Sequence, residues 1–289
     1  MSLSGYLQTP EFLKSIPGKS PENLKSIMLE KGHEWFKKNE DETNLIRHNL
    51  EEFGFCPETL VPKVQEHIIL HYYEKLLPLS DSPEFFFSFL KSHVDSSDAA
   101  KQLELTRANG KGIIVAIAHF GAVEFIVPTL ASFKFTLNTV LRFTTEQLSV
   151  QAHERARMMQ ESGLFGQINF IEAGKPGVSV AMSMAAAIRR KELLVSVFDE
   201  KTDYSKPVTL LGKKVSGGAG LDKIVKFANT PTDTYTAFMK RNENNTYTLM
   251  LKKIDEQDSV QNMFGELEKV VKEITEQWYF LHEEIPFLP

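Results

Sequence analysis

The sequence predicts an α/β fold with a largely parallel central sheet flanked by helices and with a helical N-terminal portion. From residue 101 onward, short apolar runs alternate with helical patterns, which is typical of parallel strands joined by crossover helices. Before residue 101, apolar residues recur at the helical spacing of three and four residues, without strand-like runs. We therefore expect residues 1–289 to form one domain, with 1–100 helical and 101–289 the α/β catalytic core.

In the helical portion, proline and capping signals predict helices that begin at Pro21 and Ser82, and two more over Asp41–Phe53 and Pro62–Leu77. His67 and His71 lie four residues apart in the last of these, close to Glu74, which is a zinc-ligand spacing. The glutamate that follows the first histidine of a zinc-protease motif is absent, because residues 68–70 are Ile-Ile-Leu. We expect no metal there.

In the core, the first predicted strand is the buried apolar run Ile113–Ala118, which the helix Ser97–Asn109 precedes. Periodicity and turn residues then predict the remaining elements. The predicted strands are 138–143, 168–171, 193–198, 207–211, 234–239 and 246–254, and the predicted helices are 144–162, 176–190, 221–228 and a last one that extends to Trp278. Asn242–Asn245 is expected to be the turn of a hairpin.

Composition limits the class of function. The 289 residues carry a net charge of −5 and no basic stripe, so a nucleic-acid partner is not expected. The single cysteine, Cys56, excludes an internal disulfide and fits a reducing compartment. No apolar run is long enough for a membrane span, and the first residues lack a signal-peptide pattern. The expected location is cytoplasmic, with or without peripheral contact to the inner membrane.

His119 follows the first core strand directly, at the carboxyl end where ligand crevices form in α/β sheets. Glu124 lies five residues on, about 140° away if both were on one helix. With His119 on the strand-to-helix turn and Glu124 in the first helical turn, the carboxylate could reach one imidazole nitrogen. It would then fix the tautomer and leave the other nitrogen as a general base. A histidine–glutamate pair at a strand end is also often purely structural, and spacing alone leaves both interpretations open.

Two further features are expected at the same edge of the sheet. Asp199 and Glu200 follow the predicted strand 193–198, so their carboxylates should emerge beside His119, although a helix cap or a solvated turn would place the same residues there. Gly217 and Gly218, within the run 216–220, could present backbone N–H groups to an anion at a helix N-terminus. A plain turn is the favoured interpretation of that run.

Ser179 provides a rival hypothesis. Residues 177–181, Gly-Val-Ser-Val-Ala, nearly match the nucleophile elbow of serine hydrolases, and Ser179, Asp199 and His282 follow the hydrolase order. The second glycine of the elbow is missing, and residues 174–176 separate the serine from its strand. A serine esterase or thioesterase is therefore the weaker hypothesis.

Several short motifs, in order, resemble the bacterial lipid A late acyltransferases. The run from Gly110 to Glu124 resembles their H-x4-D/E region, and Phe198-Asp199-Glu200 looks like their Asp-Gln turn. The other matching pieces are Asn49-Leu50 against an Arg-Asn-Leu helix, Arg142 against an arginine at a strand end, Leu211–Gly220 against a Phe-Phe-Gly…Gly segment, and Gln277–His282 against Gln-Trp-x-Trp-x-His. The likeness spans about residues 44–282.

The resemblance implies transfer of an acyl chain from an acyl-carrier-protein or coenzyme A thioester to a hydroxyl or amine. His119 would be the general base, Glu124 would orient it, and Arg142 with the Gly-rich segment could hold phosphate or developing negative charge. No cofactor is implied beyond the phosphopantetheine of the thioester. A non-catalytic module that binds acyl chains or a carrier protein is the other alternative.

The chain also departs from the family. No run of the sequence resembles the family's usual N-terminal membrane helix, Ala122-Val123 replaces Asn-Trp, and Glu283-Glu284 follows the C-terminal histidine where the family has basic residues. These differences weaken the expectation that membrane-embedded lipid A is the acceptor, and we expect a carrier-bound or small amphiphilic acceptor at least as strongly.

Overall fold

A computed structural model describes residues 2–143, 145–175, 177, 179–202, 204–218, 220–254, 259–285 and 288. The N-terminal portion is helical, as the sequence predicts, and its described residues form seven helices, of which the first two were not predicted. They are α1 (Leu3–Leu7), α2 (Pro10–Lys14), α3 (Pro21–Lys38), α4 (Glu40–Glu52), α5 (Pro57–Leu76), α6 (Pro83–His93) and α7 (Ser97–Ala108), with the short strand β1 (Val94–Asp95) between the last two. Helix α5 begins earlier than expected and contains Pro62 near its start.

Strands and helices then alternate along the chain. The strands are β2 (Gly112–Gly121), β3 (Leu137–Leu141), β4 (Ile168–Glu172), β5 (Leu193–Val197), β6 (Ser205–Leu210), β7 (Lys213–Gly218), β8 (Thr232–Arg241) and β9 (Tyr247–Ile254), and the helices are α8 (Ile126–Ser132), α9 (Glu146–Glu161), α10 (Val180–Arg189), α11 (Gly220–Ala228) and α12 (Ser259–Glu273). This mixed α/β architecture with a helical N-terminal region confirms the predicted fold class.

Seven strands form one sheet in the order β1-β9-β8-β2-β5-β3-β4. All neighbours are parallel except β8 and β9, which form the predicted antiparallel hairpin. β2 lies at the centre, between β8 and β5, and residues 112–118 of it are all buried. The carboxyl ends of β2, β5, β3 and β4 therefore meet at one edge of the sheet.

Strands β6 and β7 form a separate antiparallel hairpin that packs on α12. Two side chains of α12 bind its backbone. The Gln261 amide accepts from the Thr209 N–H and donates to the Thr209 carbonyl, at 2.8 and 2.9 Å, and Glu268 accepts from the Leu211 N–H at 2.7 Å. The hairpin is thus held in place by backbone-directed hydrogen bonds as well as by apolar packing.

The last part of the chain differs from the prediction. α12 ends at Glu273, and two 3₁₀ turns, Thr275–Gln277 and Tyr279–His282, follow it. Trp278, between the turns, pairs with Phe120 of β2 in an antiparallel bridge. The buried Asn49 of α4 donates to the carbonyls of Leu281 and Glu283, at 3.0 and 2.9 Å. These contacts bring the C-terminal segment against the end of β2.

No helix in the described ranges is long and apolar enough to cross a membrane.

Candidate active site

His119 lies near the end of β2, where the strand deviates from regular pairing. The register with β8 shifts between Ile117 and Gly121, and Gly121 has a φ of 62°. A side chain at Gly121 would come within 1.9 Å of the Met239 carbonyl oxygen, so only glycine fits there. The irregularity re-aims the residues before it, and the imidazole of His119 is partly exposed at the sheet edge.

Asp199 fixes the imidazole from the neighbouring strand. Its carboxylate accepts the His119 backbone N–H at 2.8 Å and the His119 Nδ1–H at 3.0 Å. Only 1% of the Asp199 side chain is exposed. Because β2 and β5 are adjacent and parallel, their ends bring these two residues together, as the sequence predicts. Because Nδ1 is hydrogen-bonded to Asp199, only Nε2 is available to exchange a proton with a substrate.

Glu200 faces that second nitrogen. Its Oε1 lies 3.4 Å from His119 Nε2, and 53% of its side chain is exposed. The prediction that both carboxylates emerge beside His119 therefore holds in the structure. The Asp199 carboxylate is buried and bonded to Nδ1, whereas the half-exposed Glu200 carboxylate lies beside Nε2.

Two aromatic residues of the C-terminal segment cover the imidazole. The ring centroids of Phe280 and Tyr279 lie 4.9 and 6.1 Å from that of His119. The Tyr279 hydroxyl is 3.1 Å from that of Tyr72 on α5. Aromatic side chains of the C-terminal segment, bonded to α5 through the Tyr72 hydroxyl, thus lie beside the histidine.

The carboxylates change the acidity of His119. Burial lowers its pKa, but the charge and hydrogen bond of Asp199, followed by the charges of Glu200 and Glu124, more than compensate and raise it to about 9. Burial raises the pKa of Glu200, while the nearby His119 opposes that shift. The resting site therefore holds an imidazolium between two carboxylates.

Glu124 occupies a position that the sequence analysis did not anticipate. It lies in the 3₁₀ turn Val123–Phe125, and its Oε1 is 3.5 Å from Nε2 of His71 on α5. Within the described part of the chain, no contact of 4.0 Å or less joins its carboxylate to the His119 ring. The orienting contact expected from Glu124 is thus made by Asp199, and Glu124 acts on His119 only through its charge.

His71 is buried, and burial holds its pKa well below the ordinary value. Its Nδ1 has no hydrogen-bond partner among the described residues, and its ring centroid lies 4.4 Å from that of Tyr279. Its Nε2 is the nitrogen that faces the Glu124 carboxylate, at 3.5 Å. His71 is therefore the neighbour of Glu124 on α5.

Arg142 follows β3 at the same edge of the sheet, two strands from His119, which is roughly 10 Å at the usual strand spacing. Its exposed guanidinium packs on Gly174, where a Cβ would lie 3.1 Å from the nearest terminal nitrogen. The structure does not bring it into contact with His119.

Gly217 and Gly218 belong to strand β7 and not to the expected anion-binding turn. The Gly218 N–H donates to the Phe198 carbonyl at 3.1 Å, and a Cβ at Gly217 would lie 2.7 Å from the Phe264 ring. Both glycines therefore allow close packing of the hairpin beside Asp199. The prediction of a free anion-binding loop at these two residues is wrong, because one amide is already used and the backbone is paired with β6.

The serine-hydrolase alternative finds no triad in the structure. Ser179 caps α10 by accepting the Met182 N–H at 3.4 Å, His282 Nδ1 bonds the Tyr279 carbonyl, and Asp199 is held by His119. Each of the three side chains has a separate partner.

Glu74, which stood in the zinc-like spacing, instead forms a buried bidentate pair with Arg241, at 2.6 and 2.7 Å. His67 Nδ1 lies 3.2 Å from the same guanidinium. Among the residues that the structure describes, no group of three or more histidine, cysteine and acidic side chains could hold a metal ion.

Sequence reasoning missed Phe280, Tyr279 and His71 as neighbours of the site. The first two lie just beyond Trp278, where the predicted last helix ends, and the pattern did not indicate what they contact. His71 was singled out only for its spacing from His67. For Tyr279 and Phe280 the available signal was the resemblance of residues 277–282 to a family motif, which does not say what those residues contact.

The chain was also compared with known protein families and with curated proteins. A family model described as bacterial lipid A biosynthesis acyltransferase matches residues 88–285, more than half of the 289 residues. The match includes every strand from β1 to β9 together with His119, Glu124, Asp199, Glu200, Tyr279 and Phe280, whereas His71 on α5 lies before it. A search of the curated proteins found no match.

Proposed function

The chain belongs to the bacterial lipid A biosynthesis acyltransferase family, and on that basis we propose that it transfers an acyl chain from an acyl-carrier-protein or coenzyme A thioester to a hydroxyl or amine. The observation that carries the proposal is the His119 imidazole, which a buried aspartate orients at Nδ1 and whose Nε2 faces the half-exposed carboxylate of Glu200. That arrangement suits a general base for an incoming nucleophile.

In the proposed reaction, neutral His119 takes the proton of the acceptor hydroxyl at Nε2 while the hydroxyl oxygen attacks the thioester carbonyl. The new C–O bond forms, the C–S bond breaks, and the departing thiolate takes the proton back from Nε2. Acceptor ester and free thiol are the products. A thioester is already activated, so no covalent enzyme intermediate is required.

Asp199 has the orienting role in this mechanism, since it holds Nδ1–H and stabilises the imidazolium that forms. Glu124, beside His71, adds negative charge that favours the same cation. Tyr279 and Phe280 limit the access of water to one side of the ring. In this mechanism Asp199 and Glu124 both stabilise the protonated form of His119.

The donor would approach from the side of Arg142. The phosphates of coenzyme A or of a carrier-protein phosphopantetheine need a cation, and Arg142 is exposed at the sheet edge roughly two strand spacings from His119. A phosphopantetheine arm is long enough to cover such a distance. A carrier protein or coenzyme A is therefore the proposed donor, and a lipid-like or small amphiphilic molecule the proposed acceptor, with a peripheral location at the membrane.

The first test is thioester cleavage without acceptor across a panel of acyl-coenzyme A and acyl-carrier-protein donors. Wild type, His119→Ala and Ser179→Ala are compared, and circular dichroism checks the fold of each. We expect slow cleavage that requires His119 and not Ser179. Cleavage that requires Ser179 would replace the proposal with a hydrolase. Wild-type turnover by His119→Ala, or binding of donor without cleavage or transfer to any acceptor, would also contradict it.

A further inference from the structure

The two ring nitrogens of His119 have different surroundings, and this difference decides where the acceptor must bind. Nδ1 is closed by the buried Asp199, which also accepts the His119 backbone N–H. Only Nε2 can take a proton from an acceptor. The nucleophilic group must therefore come within hydrogen-bond distance of Nε2.

The Glu200 carboxylate already stands at that nitrogen. Its Oε1 is 3.4 Å from Nε2, and more than half of its side chain is exposed. An acceptor hydroxyl that reaches Nε2 must therefore come close to Glu200. This holds even if the carboxylate turns slightly away from Nε2 to admit the hydroxyl.

The side chains that act electrostatically on His119 are mostly acidic. Asp199, Glu200 and Glu124 all act on the imidazole, and Glu283 interacts electrostatically with it from the C-terminal segment. Arg142 lies at the same edge but two strands away. The proposed donor would therefore bind near the positive charge of Arg142, and the acceptor would bind near the negative charge of Glu200 beside Nε2.

We propose that Glu200 is an acceptor-specificity residue that binds a hydrogen-bond donor or an ammonium group beside the reacting hydroxyl and disfavours a phosphate there. The inference rests on the proposed function, because it assumes transfer at Nε2. A carboxylate accepts hydrogen bonds from hydroxyl groups and attracts cations, whereas a phosphate beside it is repelled. The acceptor class is thus a polyol or an amino alcohol without phosphate next to the acylated oxygen.

The test uses three long-chain alcohols of equal alkyl length that carry a hydroxyl, a trimethylammonium or a phosphate on the carbon next to the reacting hydroxyl. The trimethylammonium compound presents charge without an N–H donor, and the diol presents a donor without charge. Transfer from one acyl thioester is measured as kcat and KM for each acceptor. The proteins are wild type, Glu200→Gln and, as a control, Glu284→Gln, which removes another exposed carboxylate of the same region.

For wild type we expect kcat/KM to be highest for the diol or the trimethylammonium compound, and lowest for the phosphate. Glu200→Gln should reduce the preference for the cation over the phosphate by about tenfold, which corresponds to about 1.4 kcal/mol, mainly through KM. Glu284→Gln should leave the preference unchanged. If in Glu200→Gln only the diol loses its advantage over the phosphate compound, the carboxylate recognises a hydrogen-bond donor. If only the trimethylammonium compound loses that advantage, the carboxylate recognises positive charge.

An effect of Glu200→Gln that is equal for all three acceptors would overturn the inference, because it would show that Glu200 acts only on the basicity of His119. A wild-type preference for the phosphate would overturn it as well. In both cases transfer still depends on His119, and the proposed function stands. If no acceptor is acylated and no thioester is cleaved, the proposed function fails first and the inference fails with it.

Discussion

Asp199 accepts two hydrogen bonds from a single residue, His119: one from its backbone N–H at 2.8 Å and one from its ring Nδ1–H at 3.0 Å. The first bond joins the ends of two neighbouring strands, and the second orients the imidazole. The same buried carboxylate thus holds β2 beside the end of β5 and fixes the direction in which Nε2 points. Removal of its charge should therefore affect activity much more than folding.

Asp199→Asn should lower kcat by about 100- to 10,000-fold, as the loss of an orienting carboxylate does in comparable catalytic sites. The remaining amide oxygen can still accept the backbone N–H, while the NH₂ group would face Nδ1 and favour the wrong tautomer. Steady-state transfer and thermal unfolding measure the two effects. Glu124→Gln is the matched comparison and should cost about tenfold or less, since its carboxylate acts through charge alone. A larger loss for Glu124→Gln than for Asp199→Asn would restore Glu124 to the orienting role.

The rate should increase with pH through the neutral range. Burial lowers the pKa of His119, but Asp199, Glu200 and Glu124 raise it to about 9, and only the neutral ring can accept a proton. The logarithm of kcat/KM should then rise with a slope of one and level off near pH 9.

Titratable groups lie near the ring on every element that surrounds it. They are Asp199 and Glu200 after β5, Glu124 after β2, His71 on α5, and Tyr279, His282 and Glu283 in the C-terminal segment. Glu200→Gln removes one of the charges that raise the pKa, so its plateau should begin at lower pH. A profile that falls between pH 7 and 9 would show that the imidazolium is the active form.

Gly121→Ala should be strongly destabilising, by about 3 kcal/mol or more. The new Cβ would lie 1.9 Å from the Met239 carbonyl oxygen, in addition to the strain of a φ of 62°. Gly163→Ala is the control, because Gly163 has a φ of 71° but nothing within 4 Å of the position of a Cβ. It should lose only about 1–2 kcal/mol. Urea unfolding of both variants separates the clash from the backbone strain, and equal losses would show that the contact with β8 relaxes.

Arg241→Met should destabilise the fold by about 3–5 kcal/mol, because it leaves the buried Glu74 carboxylate without its bidentate partner. The double variant Glu74→Leu/Arg241→Met should recover most of that loss, since no charge then remains in the apolar interior. Chemical denaturation of the single and double variants measures the difference. If the double variant is no more stable than Arg241→Met, the lost stability comes from the packing of the two side chains and not from the unpaired charge of Glu74.

The alternation of strands and helices was enough to predict the fold class, and with it the meeting of His119 and Asp199. Both residues follow apolar runs that form adjacent parallel strands, β2 and β5. That part of the site depends only on strand ends in a parallel sheet, which a one-dimensional pattern can show. The identities of Asp199 and Glu200 as neighbours of His119 follow from the same argument.

The position of Glu124 could not be predicted in this way. The β2 irregularity at Gly121 and the 3₁₀ turn that follows direct its carboxylate to His71, and both features depend on β8 and α5. Strand β7 was missed because its last residues, Gly217 and Gly218, have turn-like composition, and only their packing against Phe264 and Phe198 explains them. Trp278 continues a helical spacing but is bridged to Phe120 instead. In each case a distant contact overrides a local preference.

The bond from Asn49 to the Leu281 carbonyl spans 232 residues of sequence, and this has a consequence for synthesis on the ribosome. The helices of the N-terminal portion and the strands of the central sheet leave the ribosome before the segment with Tyr279 and Phe280 does. Until that segment has emerged, His119 lacks its aromatic neighbours and Asn49 lacks its two carbonyl acceptors. The surroundings of His119 are therefore completed only after the rest of the sheet has been synthesised.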